Sequence, residues 1–150
     1  MDYINSLRKH VGTQPLLMVG STVLVLDAQK RLLMMKRSDN NKWGVPGGAM
    51  ELGESTEETA RRELFEETGL AADELTLFDV FSGKELYYCY PSGDEVYMVT
   101  IVYLARNVQG SVNLSDGEHY NSQYFDLTHL PENSSPPIKP ILKKLLETQS

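Results

Sequence analysis

The sequence predicts a single domain, residues 1–150, that folds as an α/β/α sandwich around a mixed β-sheet. Segments rich in β-branched and aliphatic residues recur along most of the chain and are typical of strands. Helical patterns occur at the start, in the middle and at the end. A chain of 150 residues with no internal repeat and no domain-sized linker is long enough to bury one core.

The first fifty residues contain a short helix and two strands before a glycine-rich bend. The helix covers residues 2–10 and carries Tyr3, Ile4 and Leu7 on one side. A buried strand at residues 19–26 is followed by a polar turn at residues 27–30 and a second strand at residues 31–37. A loop at residues 38–42 leads to the glycine-rich bend at residues 43–51.

A central helix is predicted over residues 56–68. Ser55 and Glu58 form a capping box, in which the hydroxyl and the carboxylate satisfy free N–H groups of the first turn. Gly69 is the expected left-handed terminator. Ala60 and Leu64 form an apolar stripe, so we expect the helix to pack this stripe on the sheet.

Four more segments with strand character and a closing helix are predicted in the second half of the chain. The strands lie at residues 75–85, 87–90, 95–105 and 121–127. The closing helix begins near Pro140. Its apolar residues have helical spacing and are Ile138, Ile141, Leu142, Leu145 and Leu146.

Three glutamates of the central helix form an acidic cluster. Glu63, Glu66 and Glu67 are related by i, i+3 and i+4, which places them within a sector of about 100°. Like charges at these spacings repel by about 0.2–0.5 kcal/mol per pair. Carboxylate oxygens at short range suit Mg²⁺ or Mn²⁺, so the cluster indicates either a cation site or a solvated acidic face. Arg62 lies four residues before Glu66 and can pair with it.

The segment from Gly48 to Leu70 resembles the signature of the Nudix hydrolase family, to which MutT-like proteins belong. The signature reads Gly-x5-Glu-x7-Arg-Glu-U-x-Glu-Glu-x-Gly-U, where U is aliphatic. Every fixed position is matched, by Gly48, Glu54, Arg62, Glu63, Leu64, Glu66, Glu67, Gly69 and Leu70. The preceding residues 42–47 also resemble the approach strand and loop of the family. The resemblance implies an α/β/α sandwich with a mixed sheet.

The resemblance also implies a set of metal ligands. Glu63 and Glu67 are the first candidates, followed by Glu66, and Gly48 is expected to offer its carbonyl oxygen to the metal. In this family a further carboxylate often comes from a loop before a late strand. Glu118, in the loop at residues 116–118, resembles that ligand, although a surface charge is the alternative.

Catalytic roles follow from the same resemblance. Glu54 and Glu63 are the candidates for catalysis, and Arg62 is expected to orient the carboxylates. The sequence does not decide which glutamate acts as the general base. Without the resemblance, Glu54 would be interpreted only as a negative charge near the start of a helix.

Two aromatic residues are candidates for binding the substrate. Trp43 and Tyr88 could stack on a nucleobase, although aromatic residues in strands more often pack in a core. Family members that cleave ADP-ribose often carry a proline about 16 residues beyond the signature, where this chain has Leu86. Those that cleave diadenosine polyphosphates often carry a tyrosine at about 18 residues, and Tyr88 stands there.

The expected function is therefore a Mg²⁺-dependent pyrophosphohydrolase, with Mn²⁺ as a substitute, that cleaves a diphosphate linkage in a small nucleotide. Nucleoside triphosphates and dinucleoside polyphosphates are favoured over ADP-ribose and nucleotide sugars. The alternative is a non-catalytic nucleotide-binding or sensor module of the same fold. An isopentenyl diphosphate isomerase is disfavoured, because those relatives are longer and use a cysteine, whereas Cys89 lies downstream of the signature.

Composition limits the partners. The net charge of −7 argues against a surface that binds long nucleic acid through its phosphates. The apolar stretch Leu16–Leu26 is too short to span a bilayer, so no membrane partner is expected. Cys89 is the only cysteine and residues 1–6 lack a signal-peptide pattern, which predicts a cytoplasmic location. The oligomeric state is open, and a homodimer is one expectation.

Overall fold

The structure is a computed structural model that describes residues 2–114 and 117–149. Within these residues it contains three α-helices, eight strands and two short 3₁₀ helices. The α-helices are α1 (Tyr3–Val11), α2 (Thr56–Thr68) and α3 (Lys139–Gln149). The strands are β1 (Leu16–Val25), β2 (Leu32–Arg37), β3 (Trp43–Gly44), β4 (Gly47–Ala49), β5 (Ala71–Phe81), β6 (Tyr87–Cys89), β7 (Glu95–Gln109) and β8 (His119–Phe125). The 3₁₀ helices are Lys84–Leu86 and Pro136–Ile138.

The strands form a five-stranded mixed sheet and a three-stranded antiparallel sheet. The larger sheet has the order β4-β1-β7-β5, and β6 also pairs with β7. β1 and β7 run parallel, from Leu16 opposite Val96 to Val25 opposite Ala105. The other pairs of this sheet are antiparallel. The smaller sheet has the order β3-β2-β8. The structure thus confirms the predicted mixed sheet and adds a second one.

Helices cover both faces of the larger sheet. Along β1 the side chains alternate between two hydrophobic clusters, as the pleat of a strand requires. Val23 belongs to the cluster that contains Leu64 of α2. The next residue, Leu24, belongs to the cluster that contains Ile141 of α3. This arrangement confirms the α/β/α sandwich. None of the helices in the described part of the chain combines the length and the apolar character needed to cross a membrane.

The central helix has the predicted ends. The Ser55 hydroxyl accepts a hydrogen bond from the Glu58 N–H at 3.1 Å, and the Glu58 carboxylate accepts one from the Ser55 N–H at 2.8 Å. Gly69 ends the helix in the left-handed region, with φ of 75°. The capping box and the terminator are therefore confirmed, and they determine which residues α2 presents to the site.

Several predicted strand limits were wrong because pairing extends strands beyond the apolar run that the sequence shows. β5 begins at Ala71 instead of residue 75, and β7 continues to Gln109, since these two residues pair with each other. β5 ends at Phe81, after which the chain forms the 3₁₀ helix Lys84–Leu86. In the same way, β1 begins at Leu16 because it pairs with β7, and β8 begins at His119, which pairs with β2.

Candidate active site

An acidic cleft lies between the first residues of the described chain, the β4–α2 connection, α2 and the residue before β8. Its lining residues are Asp2, Glu51, Arg62, Glu63, Glu66, Glu67 and Glu118. The structure thus brings together the three glutamates of α2 and Glu118, which the sequence analysis named as metal-binding candidates. Asp116, in the same predicted loop as Glu118, lies outside the described residues.

Arg62 connects four of the groups around the cleft. Its guanidinium donates hydrogen bonds to both oxygens of Glu54, at 2.6 and 2.9 Å, and to Glu63 at 2.8 Å. It also donates to the Ala49 carbonyl at 3.0 Å and to the exposed Glu66 at 3.3 Å. The contact with Glu66 was expected from the spacing in α2. The contacts with Glu54 and with the Ala49 carbonyl hold β4 and the β4–α2 connection against the helix.

The pKa values of the two candidate catalytic glutamates are shifted in opposite directions. The hydrogen bonds from Arg62 lower the pKa of Glu54 to about 2. Burial raises the pKa of Glu63 to about 7, although Arg62 opposes this effect. Glu54 also accepts hydrogen bonds from the Glu51 N–H at 2.9 Å and the Thr59 hydroxyl at 3.0 Å. Glu54 is thus ionised and internally bonded, whereas Glu63 changes charge near neutral pH.

Glu67 lies at the bottom of the cleft, and 6% of its surface is exposed. One of its carboxylate oxygens accepts a hydrogen bond from the Gly47 N–H at 2.8 Å. Glu67, Glu118 and His119 each offer one potential ligand atom, and these atoms lie within 4.8 Å of one another. Sequence reasoning missed His119, because the three histidines show no ligand spacing. Its position directly after Glu118 was the only signal.

Gly48 allows β4 to approach α2 closely. A Cβ at this position would lie 2.5 Å from the Glu63 carboxylate, which is far too close for any side chain. The Gly48 carbonyl oxygen lies beside Gly20 of β1, where a Cβ would approach it to 2.5 Å. The expectation that this carbonyl binds a metal stays a prediction. The close approach itself accounts for glycine at this signature position.

A pocket adjoins the acidic cleft, and Glu67 lines both. The pocket lies over the face of the larger sheet to which Met18 of β1 and Met98 of β7 belong, and these residues are opposite each other in the register. The pocket is also lined by three residues that carry hydroxyl groups, Thr22, Thr100 and Ser135. No sequence pattern predicted this combination, because the lining residues come from many separate segments of the chain, from Met18 in β1 to Ile138 before α3.

The two aromatic candidates are in different surroundings. Tyr88 lines the pocket, with its hydroxyl accepting a hydrogen bond from the Asn40 side chain at 2.8 Å. Its ring contacts Tyr90 edge-on, with 4.9 Å between the ring centres. Trp43 instead packs edge-on against Phe125 at 4.9 Å and joins the cluster beneath α3. Its neighbour Gly44 lines the pocket. A substrate-binding role of either aromatic residue stays a prediction.

Comparison with known proteins assigns the fold and the signature to one family. The NUDIX domain family profile matches residues 16–147, which is nearly the whole chain. This chain belongs to the NUDIX family. The solved structure of a MutT NUDIX hydrolase from Burkholderia pseudomallei is similar, with a TM-score of 0.73 and 27% sequence identity. That match covers 88% of this chain and 98% of the other.

Two curated relatives of this NUDIX chain are named for different substrates. An ADP-ribose pyrophosphatase of Methanocaldococcus jannaschii is 31% identical over 111 residues, which are 72% of this chain and 62% of the relative. An oxidized purine nucleoside triphosphate hydrolase of Danio rerio is 34% identical over 111 residues, which are 73% of this chain and 66% of the relative. The matched region thus spans slightly less than two thirds of each relative.

Proposed function

We propose that this NUDIX chain is a Mg²⁺-dependent pyrophosphohydrolase that cleaves a diphosphate linkage in a nucleoside diphosphate-linked small molecule. The observation that carries the proposal is the junction at Glu67, which lines both the acidic cleft and the adjoining pocket. A nucleotide with its base in the pocket would bring its phosphates to the carboxylates. Mn²⁺ is expected to substitute for Mg²⁺, because carboxylate ligands suit both ions.

The described residues fit a hard divalent cation. Glu63, Glu66, Glu67 and Glu118 bring carboxylate oxygens into one cleft, and the missing Cβ of Gly48 allows the Glu63 carboxylate to lie directly against β4. A cation held by these groups would neutralise charge on the phosphate oxygens and lower the pKa of water. Gly47 contributes through its N–H group, which holds one oxygen of Glu67 in place at 2.8 Å.

Proton transfer is assigned to Glu63 in this proposal. A general base must be a weak enough acid to accept a proton near the working pH, and burial raises the pKa of Glu63 to about 7 in the metal-free chain. A cation beside it would lower this value, so the assignment rests on Glu63 being the weaker acid of the two candidates. The pKa of Glu54 is lowered to about 2, and its two oxygens already accept four hydrogen bonds. Glu54 therefore serves to hold Arg62, which in turn orients Glu63 through its 2.8 Å contact.

For the substrate we favour nucleoside triphosphates and dinucleoside polyphosphates over ADP-ribose and nucleotide sugars. Tyr88, 18 residues after Leu70, lines the pocket and can stack on a base. Leu86, at 16 residues, is 1% exposed and belongs to the interior. The names of the two relatives support a small nucleotide substrate in general, since one acts on ADP-ribose and the other on oxidized purine nucleoside triphosphates.

The test is turnover of a nucleotide panel by wild-type protein with and without Mg²⁺. The panel contains nucleoside triphosphates, a dinucleoside polyphosphate, ADP-ribose and a nucleotide sugar. Glu67→Gln preserves size and an acceptor for the Gly47 N–H but removes the charge that binds a hard cation. We expect activity to fall by at least about 10²-fold in this variant while the fold is retained.

Glu57→Gln is the matched control, because Glu57 lies on the same helix, is exposed and pairs with Arg61 at 3.3 Å. It is expected to turn over substrate at the wild-type rate. Wild-type turnover by Glu67→Gln at saturating Mg²⁺ would contradict the proposal. Nucleotide binding without turnover of any panel member would instead support the non-catalytic module. A cytoplasmic location and a homodimer stay predictions.

A further inference from the structure

The Ser135 hydroxyl is buried at the wall of the pocket without a hydrogen-bond partner. Ser135 is 8% exposed and is one of the pocket-lining residues. Among the residues that the structure describes, none donates a hydrogen bond to its Oγ or accepts one from it. A buried hydroxyl in this state destabilises a folded chain, since it has given up its bonds to water.

The local sequence explains why the hydroxyl has no partner. Ser135 occupies the N-cap position of the 3₁₀ helix Pro136–Ile138, where a serine hydroxyl normally accepts from an N–H group of the first turn. Pro136 and Pro137 have no N–H group, and the Ile138 N–H donates to the Ser135 carbonyl at 3.1 Å. The Ser135 N–H donates to the Trp43 carbonyl at 2.8 Å. The main chain is satisfied, and only the side chain is not.

Apolar and aromatic side chains of the pocket suit a flat ring. Met18 and Met98 provide an apolar surface from neighbouring strands, and Tyr88 provides an aromatic ring. The side chain of Thr100 adds a second hydroxyl on the same strand as Met98. At the boundary with the acidic cleft stands Glu67, so a ring in the pocket can be joined to phosphates in the cleft.

We propose that the Ser135 hydroxyl hydrogen-bonds the polar edge of the substrate's nucleobase and helps to determine which nucleotides bind. This inference rests on the proposed function, because it takes the bound molecule to be a nucleotide with its phosphates in the acidic cleft. A base edge carries donors and acceptors, and a serine hydroxyl can pair with either. The partner that the folded chain lacks is then supplied by the ligand.

The inference predicts opposite effects of one substitution on stability and on binding. Ser135→Ala removes an unsatisfied hydroxyl, so the melting temperature of the ligand-free protein should stay the same or rise. The same change removes a hydrogen bond from the complex, so the Kd for a nucleotide should increase by about two- to tenfold. If Ser135 only supported the fold, Ser135→Ala would instead lower the melting temperature.

The experiment compares wild type, Ser135→Ala and Ser134→Ala by calorimetry with millimolar Mg²⁺ present. The probes are GMP, AMP and inorganic pyrophosphate, which has no base. Ser134 is the matched control, because its hydroxyl is buried and donates to the Pro131 carbonyl at 2.8 Å. Ser134→Ala should lower the melting temperature and leave the Kd values unchanged. Ser135→Ala should weaken binding of the nucleotide and not of pyrophosphate.

Three results would overturn the inference. One is a melting temperature of Ser135→Ala that falls as far as that of Ser134→Ala. Another is an unchanged Kd for both nucleotides, or an equal loss for pyrophosphate. The third is wild-type protein that binds pyrophosphate but neither nucleotide, which would reject a base in the pocket and leave the pyrophosphohydrolase proposal standing. If wild type binds none of the three probes, the proposed function fails as well.

Discussion

At the scale of single residues, the guanidinium of Arg62 hydrogen-bonds carboxylates whose pKa values differ widely. Arg62 donates its three shortest hydrogen bonds to these carboxylates, two to Glu54 and one to Glu63, yet the pKa values of the two glutamates are about 2 and about 7. The difference arises because Glu63 is more deeply desolvated, whereas both Glu54 oxygens are bonded to Arg62. Two titratable groups separated in this way can hold different protonation states at one pH.

The raised pKa of Glu63 predicts that metal affinity depends on pH. A cation needs the ionised carboxylate and therefore competes with the proton below about pH 7. The apparent affinity for Mg²⁺ should weaken by up to about tenfold for each pH unit below this value. In the metal-free protein the sign is opposite: the folded chain keeps a proton that the unfolded chain releases, so this group's contribution to stability decreases as pH rises from about 4.5 to about 7.

Titration calorimetry between about pH 5 and about pH 8, in buffers that differ in ionisation enthalpy, measures both the affinity and the proton released. Glu63→Gln cannot release that proton, so its residual affinity should be nearly independent of pH in this range. Wild-type affinity that does not change with pH would contradict the assignment of the titrating group to the metal cleft.

Substitutions of Tyr88 test whether its ring stacks on the nucleobase of the substrate. Tyr88→Ala should remove about 1–3 kcal/mol of nucleotide binding, mainly as a higher KM if stacking is equal in the ground and transition states. Tyr88→Phe keeps the ring, so binding should be unchanged. It also leaves the Asn40 side chain without its 2.8 Å acceptor, which should lower stability by about 1 kcal/mol. Steady-state kinetics and urea unfolding of both variants separate the two effects, and an unchanged KM in Tyr88→Ala would return the residue to a packing role.

At the scale of elements, the site depends on how closely the short strand β4 lies between β1 and α2. Gly47 and Gly48 pair with Thr22 and Ser21 of β1 on one side. On the other side, a Cβ at Gly48 would touch the carboxylate of Glu63. The contact with β1 involves main-chain atoms, which cannot shift without moving a strand. The contact with α2 involves the end of the flexible Glu63 side chain, which can move by itself.

Gly48→Ala should therefore disturb the site more than the fold. The new Cβ would lie 2.5 Å from the Glu63 carboxylate, which can turn away at little cost in stability. We expect Mg²⁺ affinity to fall by about 10–100-fold, as for other changes that displace a ligand's support. Gly20→Ala is the comparison, because its Cβ would meet the Gly48 carbonyl at 2.5 Å and the main chain would have to shift.

That second substitution should lower the free energy of unfolding by about 1–3 kcal/mol. Calorimetry of Mg²⁺ binding and thermal unfolding of both variants are the measurements. Equal losses of stability in the two variants, with Mg²⁺ affinity intact in Gly48→Ala, would show that Glu63 does not take part in the site.

At the scale of the whole molecule, the core is separate from the acidic cleft. The hydrophobic clusters lie between the larger sheet and α2 on one face and α3 on the other. The glutamates of the cleft repel one another in a chain whose net charge is already −7. A ligand that relieves this repulsion and binds only the folded state should stabilise the molecule.

Mg²⁺ should accordingly raise the melting temperature. At a free concentration of about one hundred times Kd, the added stability is about 2.7 kcal/mol. For a chain of this size that corresponds to a rise of about 5–10 °C. Calorimetry with NaCl at matched ionic strength is the control for general screening. The same rise in Glu63→Gln/Glu67→Gln, or none in wild type, would indicate that these carboxylates do not bind the ion.

Features encoded by neighbours in the chain could be predicted from the sequence. The capping box of Ser55 and Glu58, the terminator Gly69 and the spacing of Glu63, Glu66 and Glu67 depend on contacts within one or two helical turns. Such contacts have a fixed spacing in sequence, so the limits of α2 and the acidic face were visible without a structure. The sequence of helices and strands was also sufficient to predict the α/β/α class.

Contacts between distant segments were decided only by the tertiary structure. The parallel pairing of β1 with β7, the strong contacts of Arg62 with Glu54, and the position of His119 beside Glu67 have no spacing rule that a single sequence displays. The same is true of Ser135, whose proline neighbours are visible in the sequence but whose burial at the pocket is not. The chain thus encodes its acidic helix locally, whereas the pocket that would select a substrate exists only where many distant segments meet, because long-range packing and not local hydrogen bonding brings them together.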